Sequence, residues 1–211
     1  MSKKPATPPP RNPAETRRRL VEATVGLILK QGYSATSVDQ ICSAASLTKG
    51  SFFHHFDSKE AIGLAAADWW GEMGTALYAA AWADPALDPL DQLHRFFDIM
   101  IGSTERVDTG PCTCVVGMLS QEMSGTSPDL RAACTRHLED WTRNTAAMLR
   151  AAKEKYPVTR DFDPEETAWF LNCLWQGSML IGKTRNTPEM IRANLRQARA
   201  WVDGLFITTA S

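Results

Sequence analysis

The stretch that decides the fold runs from Thr36 to Glu60 and reads TSVDQICSAASLTKGSFFHHFDSKE. Apolar residues recur at helical spacing on both sides of the break at Ser46-Leu47: Val38, Ile41, Cys42 and Ala45 before it, and Phe52, Phe53 and Phe56 after it. Two short helices that share one core are typical of this pattern. Thr36 or Ser37 is expected to cap the first helix and Thr48 the second, by accepting hydrogen bonds from free amides.

The second of these helices carries polar side chains on the face that points away from the shared core. They are Thr48, Lys49, Ser51, His54 and His55. Hydrogen-bond donors and cations on so short a helix suit a narrow anionic surface, for which a DNA groove is the candidate. Gly50 lowers the helix propensity by about 1 kcal/mol, which a close approach of a partner to the backbone would explain.

The charge distribution marks the same end of the chain. Residues 1–60 hold nine Lys and Arg against five Asp and Glu, a net charge of +4, whereas residues 61–211 hold fourteen against nineteen, a net charge of −5. The overall charge of −1 therefore hides a basic N-terminal part, which favours an anionic partner. Residues 1–12, MSKKPATPPPRN, predict a disordered basic arm that is either a solvated tail or a weak contact to DNA.

Helical patterns with clear end signals continue through the rest of the chain, and no strand pattern interrupts them. A first helix is predicted at residues 13–31, with Pro13 at its start, Gly32 at its exit and a buried stripe of Leu20, Ala23, Thr24, Leu27 and Ile28. At least one arginine of the run 17–19 should point towards the two short helices. Further helices are predicted at about 59–82, 90–106, 112–125, 128–155, 164–183 and 191–205, with a loop at 107–111.

The stretch Thr36 to Glu60 resembles the N-terminal DNA-binding domain of the tetracycline-repressor (TetR) family. The matching residues are Thr36, Ile41, Ala45, Gly50, His55, Phe56, Ser58, Lys59 and Glu60. The departures are Cys42 where Ala is usual, Ser46-Leu47-Thr48 where Gly-Val-Ser is usual, and Phe53 where Tyr is usual. Phe53 lacks the hydroxyl that often meets a phosphate in this family, which puts that contact in doubt.

The resemblance implies an all-α protein with a helix-turn-helix DNA-binding domain at residues 13–58 and an effector-binding and dimerisation domain at residues 59–211. The third helix would meet base edges or phosphates, and the start of the second helix would meet phosphate. Lys59 would clamp phosphate together with the amides that open the fourth helix. The predicted DNA-binding residues are Thr36, Ser37, Thr48, Lys49, Gly50, Ser51, Phe53, His54 and Lys59.

The last two predicted helices carry more apolar surface than one core can use. Helix 164–183 is apolar around much of its circumference, and the run 191–205 alternates steps of four and three residues like a coiled-coil seam. A four-helix bundle between two subunits, which the resemblance also implies, would bury this surface; ordinary monomer core is the alternative. The predicted dimerisation residues are Trp175, Ser178, Ile191, Leu195, Ala198, Val202 and Leu205.

The segment 110–122, GPCTCVVGMLSQE, resembles one found in a TetR subgroup that includes acrylate-responsive and electrophile-sensing repressors. The matching residues are Cys114, Gly117, Leu119 and Glu122, and Met118 stands where the pattern has Asn. Independently of this resemblance, the positive end of a helix dipole lowers the pKa of a thiol in the first turn, which favours reaction of Cys114 with electrophiles. Cys112 could then act as a resolving thiol, but plain packing of both cysteines is the alternative.

Aromatic and apolar residues of the body could line an effector cavity, although such a stripe is also typical of plain core. The predicted effector or sensor residues are Cys114, Cys112, Trp69, Phe97, Met100, Trp141 and Trp175. Because the sequence has no convergent set of acids, bases or nucleophiles and no metal-ligand spacing among its four histidines, we expect no enzymatic activity, cofactor or metal.

The five cysteines are an odd number in helical patterns and are expected to be reduced thiols. Without an apolar leader or membrane span, the chain is expected to be cytoplasmic. The sequence therefore predicts a homodimeric, ligand-responsive repressor that binds a pseudo-palindromic double-stranded operator and is released by a small-molecule or electrophile effector. Two alternatives stay open: a thiol-switch repressor without a reversible ligand, and a non-specific helical DNA-binding protein.

Overall fold

The computed structural model describes residues 12–82, 86–105 and 112–207, and helices build this part of the chain. Their bounds are α1 (Pro13–Gln31), α2 (Val38–Ala44), α3 (Lys49–His55), α4 (Lys59–Trp82), α5 (Pro89–Glu105), α6 (Val115–Met123), α7 (Pro128–Lys155), α8 (Pro164–Arg185) and α9 (Glu189–Asp203). Extended pairing within these ranges amounts to one isolated antiparallel bridge between Val158 and Phe206. The all-α prediction is confirmed.

The helix ends lie within a few residues of the predicted ones, and side-chain caps account for the differences at α1 and α6. Cys114 has an extended backbone and caps α6, which therefore begins at Val115. The side chain of Asn12 accepts a hydrogen bond from the amide of Ala14 at 3.1 Å, so Asn12 belongs to the start of α1 and not to the predicted arm. The rest of that arm, residues 1–11, and the predicted loop at 107–111 lie outside the described residues.

Two side-chain caps start the short helices of the N-terminal head, which comprises α1, α2 and α3. Ser37 Oγ accepts from the amide of Gln40 at 3.2 Å, and Gln40 Oε1 accepts from the amide of Ser37 at 2.9 Å, which is a capping box. Thr48 Oγ1 accepts from the amide of Ser51 at 3.2 Å and starts α3. Helices of seven residues are unstable alone, so these caps and the packing against α1 hold them.

The core of the head is a small apolar cluster in which every member is 5% exposed or less. It consists of Leu20 and Val21 from α1, Ile41, Cys42 and Ala45 from α2 and its end, Phe52 and Phe56 from α3 and its end, and Ile62 from α4. The long α4 therefore closes the head core before it continues into the body.

A second apolar face of α1, which the sequence pattern did not reveal, packs against the body. Val25 and Ile28 of α1, together with Tyr33, share a cluster with residues of α4, α6 and α7. The body side of this cluster consists of Ala66, Ala67, Val115, Val116, Leu119, Leu130 and Cys134. The head is thus joined to the body through apolar packing as well as through the chain.

The body core contains the residues predicted for dimerisation. Trp175, Ser178, Ile191, Leu195, Ala198, Val202 and Leu205 are each 7% exposed or less within the single chain. The regular seam of α9 packs against α5 and α8 of its own subunit, and a contact of these side chains with a second copy stays a prediction. The apolar side chains that α8 and α9 leave exposed are Trp169, Phe170, Leu180, Ile181 and Trp201.

Among the described helices, none is long and apolar enough to cross a bilayer.

The turn between α2 and α3 contains a strained residue. Ser46 has a φ of 53°, in the left-handed region that costs a non-glycine residue roughly 1–2 kcal/mol. The turn is nevertheless fixed by hydrogen bonds, because the amide of Ser46 donates to the Ser43 carbonyl at 3.0 Å and that of Leu47 to the Cys42 carbonyl at 2.8 Å. The position is one that glycine would occupy without strain.

We predict that Ser46→Gly raises the free energy of unfolding by about 0.5–1 kcal/mol, because glycine adopts a positive φ without a Cβ clash. Ser43→Gly is the matched control: the same chemical change inside α2 should lower the free energy of unfolding by about 0.5 kcal/mol. Urea unfolding followed by circular dichroism measures both. Equal changes in the two variants would contradict strain at Ser46.

Candidate functional site

The outer face of α3 is the surface that the sequence predicted for DNA. Thr48, Lys49, Gly50, Phe53 and His54 are exposed and Ser51 is half-buried, whereas Phe52 and Phe56 anchor the helix in the head core. The arrangement leaves a polar and cationic surface on a helix narrow enough for a major groove. These six residues stay together as the predicted reading surface.

Phe53 is an apolar residue in the middle of this surface. Its side chain is 54% exposed, and its ring meets the Phe52 ring edge-on at 5.2 Å between centroids. Without a hydroxyl it cannot donate to a phosphate, but an exposed ring can pack against a thymine methyl group or a sugar. The contact at this position is therefore expected to be apolar.

Lys49 makes an ion pair in the DNA-free protein. Its Nζ lies 2.7 Å from Asp39 Oδ1 of α2, and both side chains are more than half exposed. The hydrogen bond and charge of Asp39 raise the pKa of Lys49, so the amine is a cation at neutral pH. Exposed ion pairs of this kind are weak, so a phosphate can replace Asp39.

Two residues predicted to contact phosphate also make contacts within the head. Thr36 is 2% exposed and its hydroxyl donates to the Gly32 carbonyl at 2.7 Å, because it closes the turn between α1 and α2. Lys59 Nζ donates to the Ser34 carbonyl at 3.3 Å and lies 4.4 Å from the centre of the Tyr33 ring. Both side chains are used to build the head. Ser37 is exposed, but its hydroxyl serves as the α2 cap.

The arginine run of α1 adds cations beside the reading helix. Arg19 Nη2 donates to the carbonyl of Ala45 at the α2–α3 turn, and the guanidinium of Arg17 lies 5.1 Å from the centre of the Phe56 ring. Arg18 instead pairs with Glu15 and Glu22 on the outer face of α1. Two of the three arginines therefore lean towards the helix-turn-helix, as the sequence predicted for at least one.

A groove of about 230 Å³ lies between α6 and α8 in the body. Its walls include Cys114, Met118, Glu122, Gln176, Met179 and Lys183. Gly117 gives the Gln176 side chain room in this groove, because a Cβ at this position would lie 2.4 Å from Gln176 Oε1. Lys183 Nζ lies 3.4 Å from the thioether of Met118, which is a weak acceptor, and its charge acts on Glu122 of the same groove, so an anionic ligand would compete with that carboxylate for Lys183.

The two neighbouring cysteines differ in their surroundings. Cys114 Sγ accepts a hydrogen bond from the amide of Gly117 at 3.4 Å and forms part of the groove wall. Cys112 packs against the body core, and burial, assisted by Cys114, raises the pKa of its thiol to about 11. A protonated thiol is a poor nucleophile, so the predicted resolving role of Cys112 is disfavoured by its environment.

The predicted effector residues fall into two places. Phe97, Met100 and Trp175 lie in the body core, and Cys112, Cys114 and Trp141 pack against it. Trp69 is separate, because it packs against the head core and the head–body cluster. Six of the seven residues thus lie in or against the body core, and Cys114 also packs against the head–body cluster that Trp69 contacts.

The body core also contains buried donors that no described residue satisfies. The indole N–H groups of Trp82 and Trp141 are inaccessible to solvent and make no hydrogen bond within the described part of the chain. Burial raises the pKa of Tyr78, and the neighbouring Trp141 N–H offsets part of this rise, although the pair does not reach hydrogen-bond geometry. A buried donor without a partner is destabilised, so an acceptor atom supplied by a ligand would form a favourable hydrogen bond with it.

Across the described residues, no group of three His, Cys, Asp or Glu side chains could hold a metal ion.

Comparison with known proteins places both halves of the chain in one family. Residues 20–66 match the model of the bacterial regulatory proteins of the tetR family, and residues 89–198 match that of the tetracyclin repressor-like C-terminal domain. The relatives include the transcriptional regulator AcuR of Cereibacter sphaeroides, 32% identical over 84% of this chain and 80% of its own. The transcriptional repressor DhaR of a Mycobacterium species is 29% identical over 82% of this chain and 85% of its own.

Solved structures agree with the fold. A regulatory protein TetR from Rhodobacter sphaeroides has a TM-score of 0.79 at 31% identity, over 88% of this chain and 97% of that one. The reduced form of the Escherichia coli repressor NemR has a TM-score of 0.80 at 24% identity, over 93% of this chain and all of that one. The second likeness concerns the fold alone.

We predict that Lys49→Ala weakens binding to all DNA sequences and reduces the salt dependence of the affinity by about one counterion per head, because a phosphate contact is lost. Lys155→Ala is the matched control, since Lys155 also forms an exposed ion pair, 2.6 Å from Asp88, but in the body. Fluorescence anisotropy over a range of salt concentrations measures both slopes. An unchanged slope for Lys49→Ala would remove Lys49 from the interface.

Proposed function

Because the chain belongs to the TetR family of DNA-binding transcriptional regulators, we propose that it is a repressor whose operator binding ends when a small molecule or an electrophile occupies its body. The observation that carries the proposal is the α6–α8 groove, which has an accessible thiol and an ammonium group in the same chain as the α3 reading surface. The relatives DhaR and NemR are named repressors, which supports this direction of control.

Two kinds of effector suit the body. An electrophile can enter the groove and react with Cys114, whose sulfur lies in its wall. A reversible ligand with an apolar skeleton and acceptor atoms suits the neighbouring core, where the indole N–H groups of Trp82 and Trp141 have no acceptor among the described residues. Cys114 packs against that core as well as lining the groove, so both kinds of effector would act on the start of α6.

A thiol switch without a reversible ligand is the second candidate, and the position of Cys114 favours it. The environment of Cys112 does not support a disulfide with Cys114, because burial keeps the Cys112 thiol protonated. The switch would then be alkylation or oxidation of Cys114 alone. Non-specific DNA packaging is disfavoured, because the relatives are named as transcriptional regulators.

The dimer is proposed to form through the exposed face of α8 and α9. Phe170, Cys173, Gly177 and Ile181 follow one another at three- and four-residue steps along α8, and all are exposed. Trp201 of α9 extends this face, with its ring 5.2 Å from that of Phe170. Large apolar side chains that are contiguous on a surface mark an interaction site, and a second copy would cover them.

Two heads held on a two-fold axis would read a pseudo-palindromic operator, with half-sites about 34 Å apart or somewhat more. Binding to chromosomal DNA would place the protein in the bacterial cytoplasm. The effect on transcription would follow from occupancy of the operator alone, without chemistry on the DNA.

In a Cys112→Ser, Cys173→Ser variant, Cys114 is the accessible thiol. We predict that N-ethylmaleimide weakens the binding of this variant to operator DNA at least about fivefold. The adduct would fill the groove that Cys114 lines. Gel-shift titration of the upstream DNA of its own gene measures the affinity. Cys114→Ser in the same background should bind operator normally and ignore the reagent; an equal response in this variant would exclude Cys114 as the sensor.

We predict that Ile181→Glu converts the dimer to a monomer and abolishes high-affinity operator binding, because a charge would be buried in the contact between subunits. Leu77→Glu is the matched control, since Leu77 on α4 is 44% exposed and Ile181 is 45% exposed. Light scattering after gel filtration gives the masses. If Ile181→Glu retains the mass of a dimer, the contact lies elsewhere.

A further inference from the structure

Glu122 of α6 belongs to the groove and to the head at the same time. Its side chain lines the groove between α6 and α8. Its Oε1 accepts a hydrogen bond from the amide of Tyr33 at 3.0 Å, and its Oε2 accepts one from the amide of Ser34 at 2.7 Å. Tyr33 and Ser34 form the turn between α1 and α2, so one carboxylate connects the proposed effector site with the helix-turn-helix.

The turn is shaped to receive this carboxylate. Gly32 has a φ of 90°, and a Cβ at this position would lie 2.7 Å from Glu122 Oε1, so the close approach needs glycine. Lys59 of α4 also contacts this turn, because it stacks on the Tyr33 ring and donates to the Ser34 carbonyl. The turn is therefore held by an anion from α6 and a cation from α4.

Glu122 and Lys59 are both charged at the turn, and a charged acceptor strengthens the hydrogen bonds that fix its orientation. Burial by itself would raise the pKa of Glu122, but hydrogen bonds from Ser34 and Tyr33 and the charge of Lys183 hold that pKa below its ordinary value. Burial lowers the pKa of Lys59, and Glu122 offsets part of that change. Glu122 is therefore ionised at neutral pH, and hydrogen bonds to an ionised acceptor are roughly twice as strong as neutral ones.

The turn is rigidly connected to α2. The amide of Thr36 donates to the Tyr33 carbonyl at 3.0 Å, and the Thr36 hydroxyl donates to the Gly32 carbonyl at 2.7 Å. Gln31 Nε2 donates to the Ala35 carbonyl at 3.0 Å and to Gln40 Oε1 at 3.2 Å, and Gln40 completes the capping box of α2. A displacement of the turn would therefore move the start of α2 with it.

We propose that Glu122 is the positioning residue that couples the groove to the DNA-binding head. In the ligand-free protein its carboxylate holds the α1–α2 turn in the orientation that binds operator, and an occupant of the groove draws it away from the two amides. The inference rests on the proposed function and deepens it by naming how the groove controls the head. The head–body contact at Val25 and Ile28 is apolar and non-directional, and Lys59 keeps its hydrogen bond to the Ser34 carbonyl, so the turn can rotate slightly about these contacts once the carboxylate has left.

Two substitutions of Glu122 separate geometry from charge. Glu122→Gln keeps the length and removes the charge, and Glu122→Asp keeps the charge but cannot reach both amides. Both are expected to weaken binding of the full-length protein to its upstream DNA at least about fivefold. If Glu122 acted only as a negative charge near DNA, Glu122→Gln would strengthen binding and Glu122→Asp would leave it unchanged; that pattern overturns the proposal.

Gln121→Asn is the matched control, because Gln121 lines the same groove next to Glu122 and makes no described contact with the turn. It is expected to change operator affinity by less than about twofold. Gly32→Ala opens the same contact from the head side, and the double variant Gly32→Ala, Glu122→Gln should bind DNA no more weakly than the weaker single variant. Fully additive losses would mean that the two residues act separately, contrary to the proposal.

Hydrogen exchange gives a readout that does not depend on DNA. In the Cys112→Ser, Cys173→Ser background, N-ethylmaleimide on Cys114 should speed exchange of the Tyr33 and Ser34 amides about tenfold or more, as measured by NMR. When this background also carries Glu122→Gln, treatment with the reagent should change the operator affinity of the variant by less than about twofold. If the reagent weakens operator binding but leaves these two amides protected, the coupling role of Glu122 is wrong and the proposed function stands. If it changes neither, the groove is not the sensor, so the electrophile form of the proposed function and the coupling role of Glu122 both fail.

Discussion

The structure depends on the burial of two faces of one helix. Leu20 and Val21 of α1 close the core of the head, and one to two turns later Val25 and Ile28 of the same helix enter the cluster shared with the body. Neither cluster is large, and both are completed by α4, which gives Ile62 to the first and Ala66 and Ala67 to the second. Head and body therefore cannot reorient independently, because any motion of the head must slide α1 over α4 and α6.

Polar contacts between head and body determine the directions in which α1 can slide over α4 and α6. Apolar packing resists separation but has little preference for direction, whereas hydrogen bonds to a charged group depend steeply on distance and angle. The α1–α2 turn is the part of the head where charged side chains from the body converge, with Glu122 on one side and Lys59 on the other. Lys59 therefore helps to position the turn in the DNA-free protein, and its contact with phosphate stays a prediction.

Local signals made much of the fold predictable. The caps at Ser37 and Thr48 and the exit at Gly32 act within a few residues, so the pattern located most helix ends. The reading surface on α3 followed from spacing because Phe52 and Phe56 must be buried, which leaves Lys49, Phe53 and His54 outside.

Tertiary choices were not predictable from the same patterns. The seam of α9 was regular, but periodicity does not say whether a seam meets its own subunit or another, and Leu195 and Val202 proved to be monomer core. Thr36 and Lys59 matched the family motif, yet their partners, Gly32 and Ser34, became visible only in the folded turn. Glu122 was noticed as a motif residue without a role, because its contacts are nearly ninety positions away in sequence.

The ion pair between Lys49 and Asp39 has a consequence for the search along a chromosome. A phosphate contact of Lys49, as predicted, would require the amine to leave its own carboxylate at every encounter with DNA, so the gain in attraction is reduced. This cost is the same on the operator and on an arbitrary sequence, whereas the contacts predicted for Phe53 and His54 would be complete only at the operator. Asp39 would thus shorten the residence time at every site by a similar factor, which reduces the time lost on wrong sites, while the operator keeps the advantage of its specific contacts.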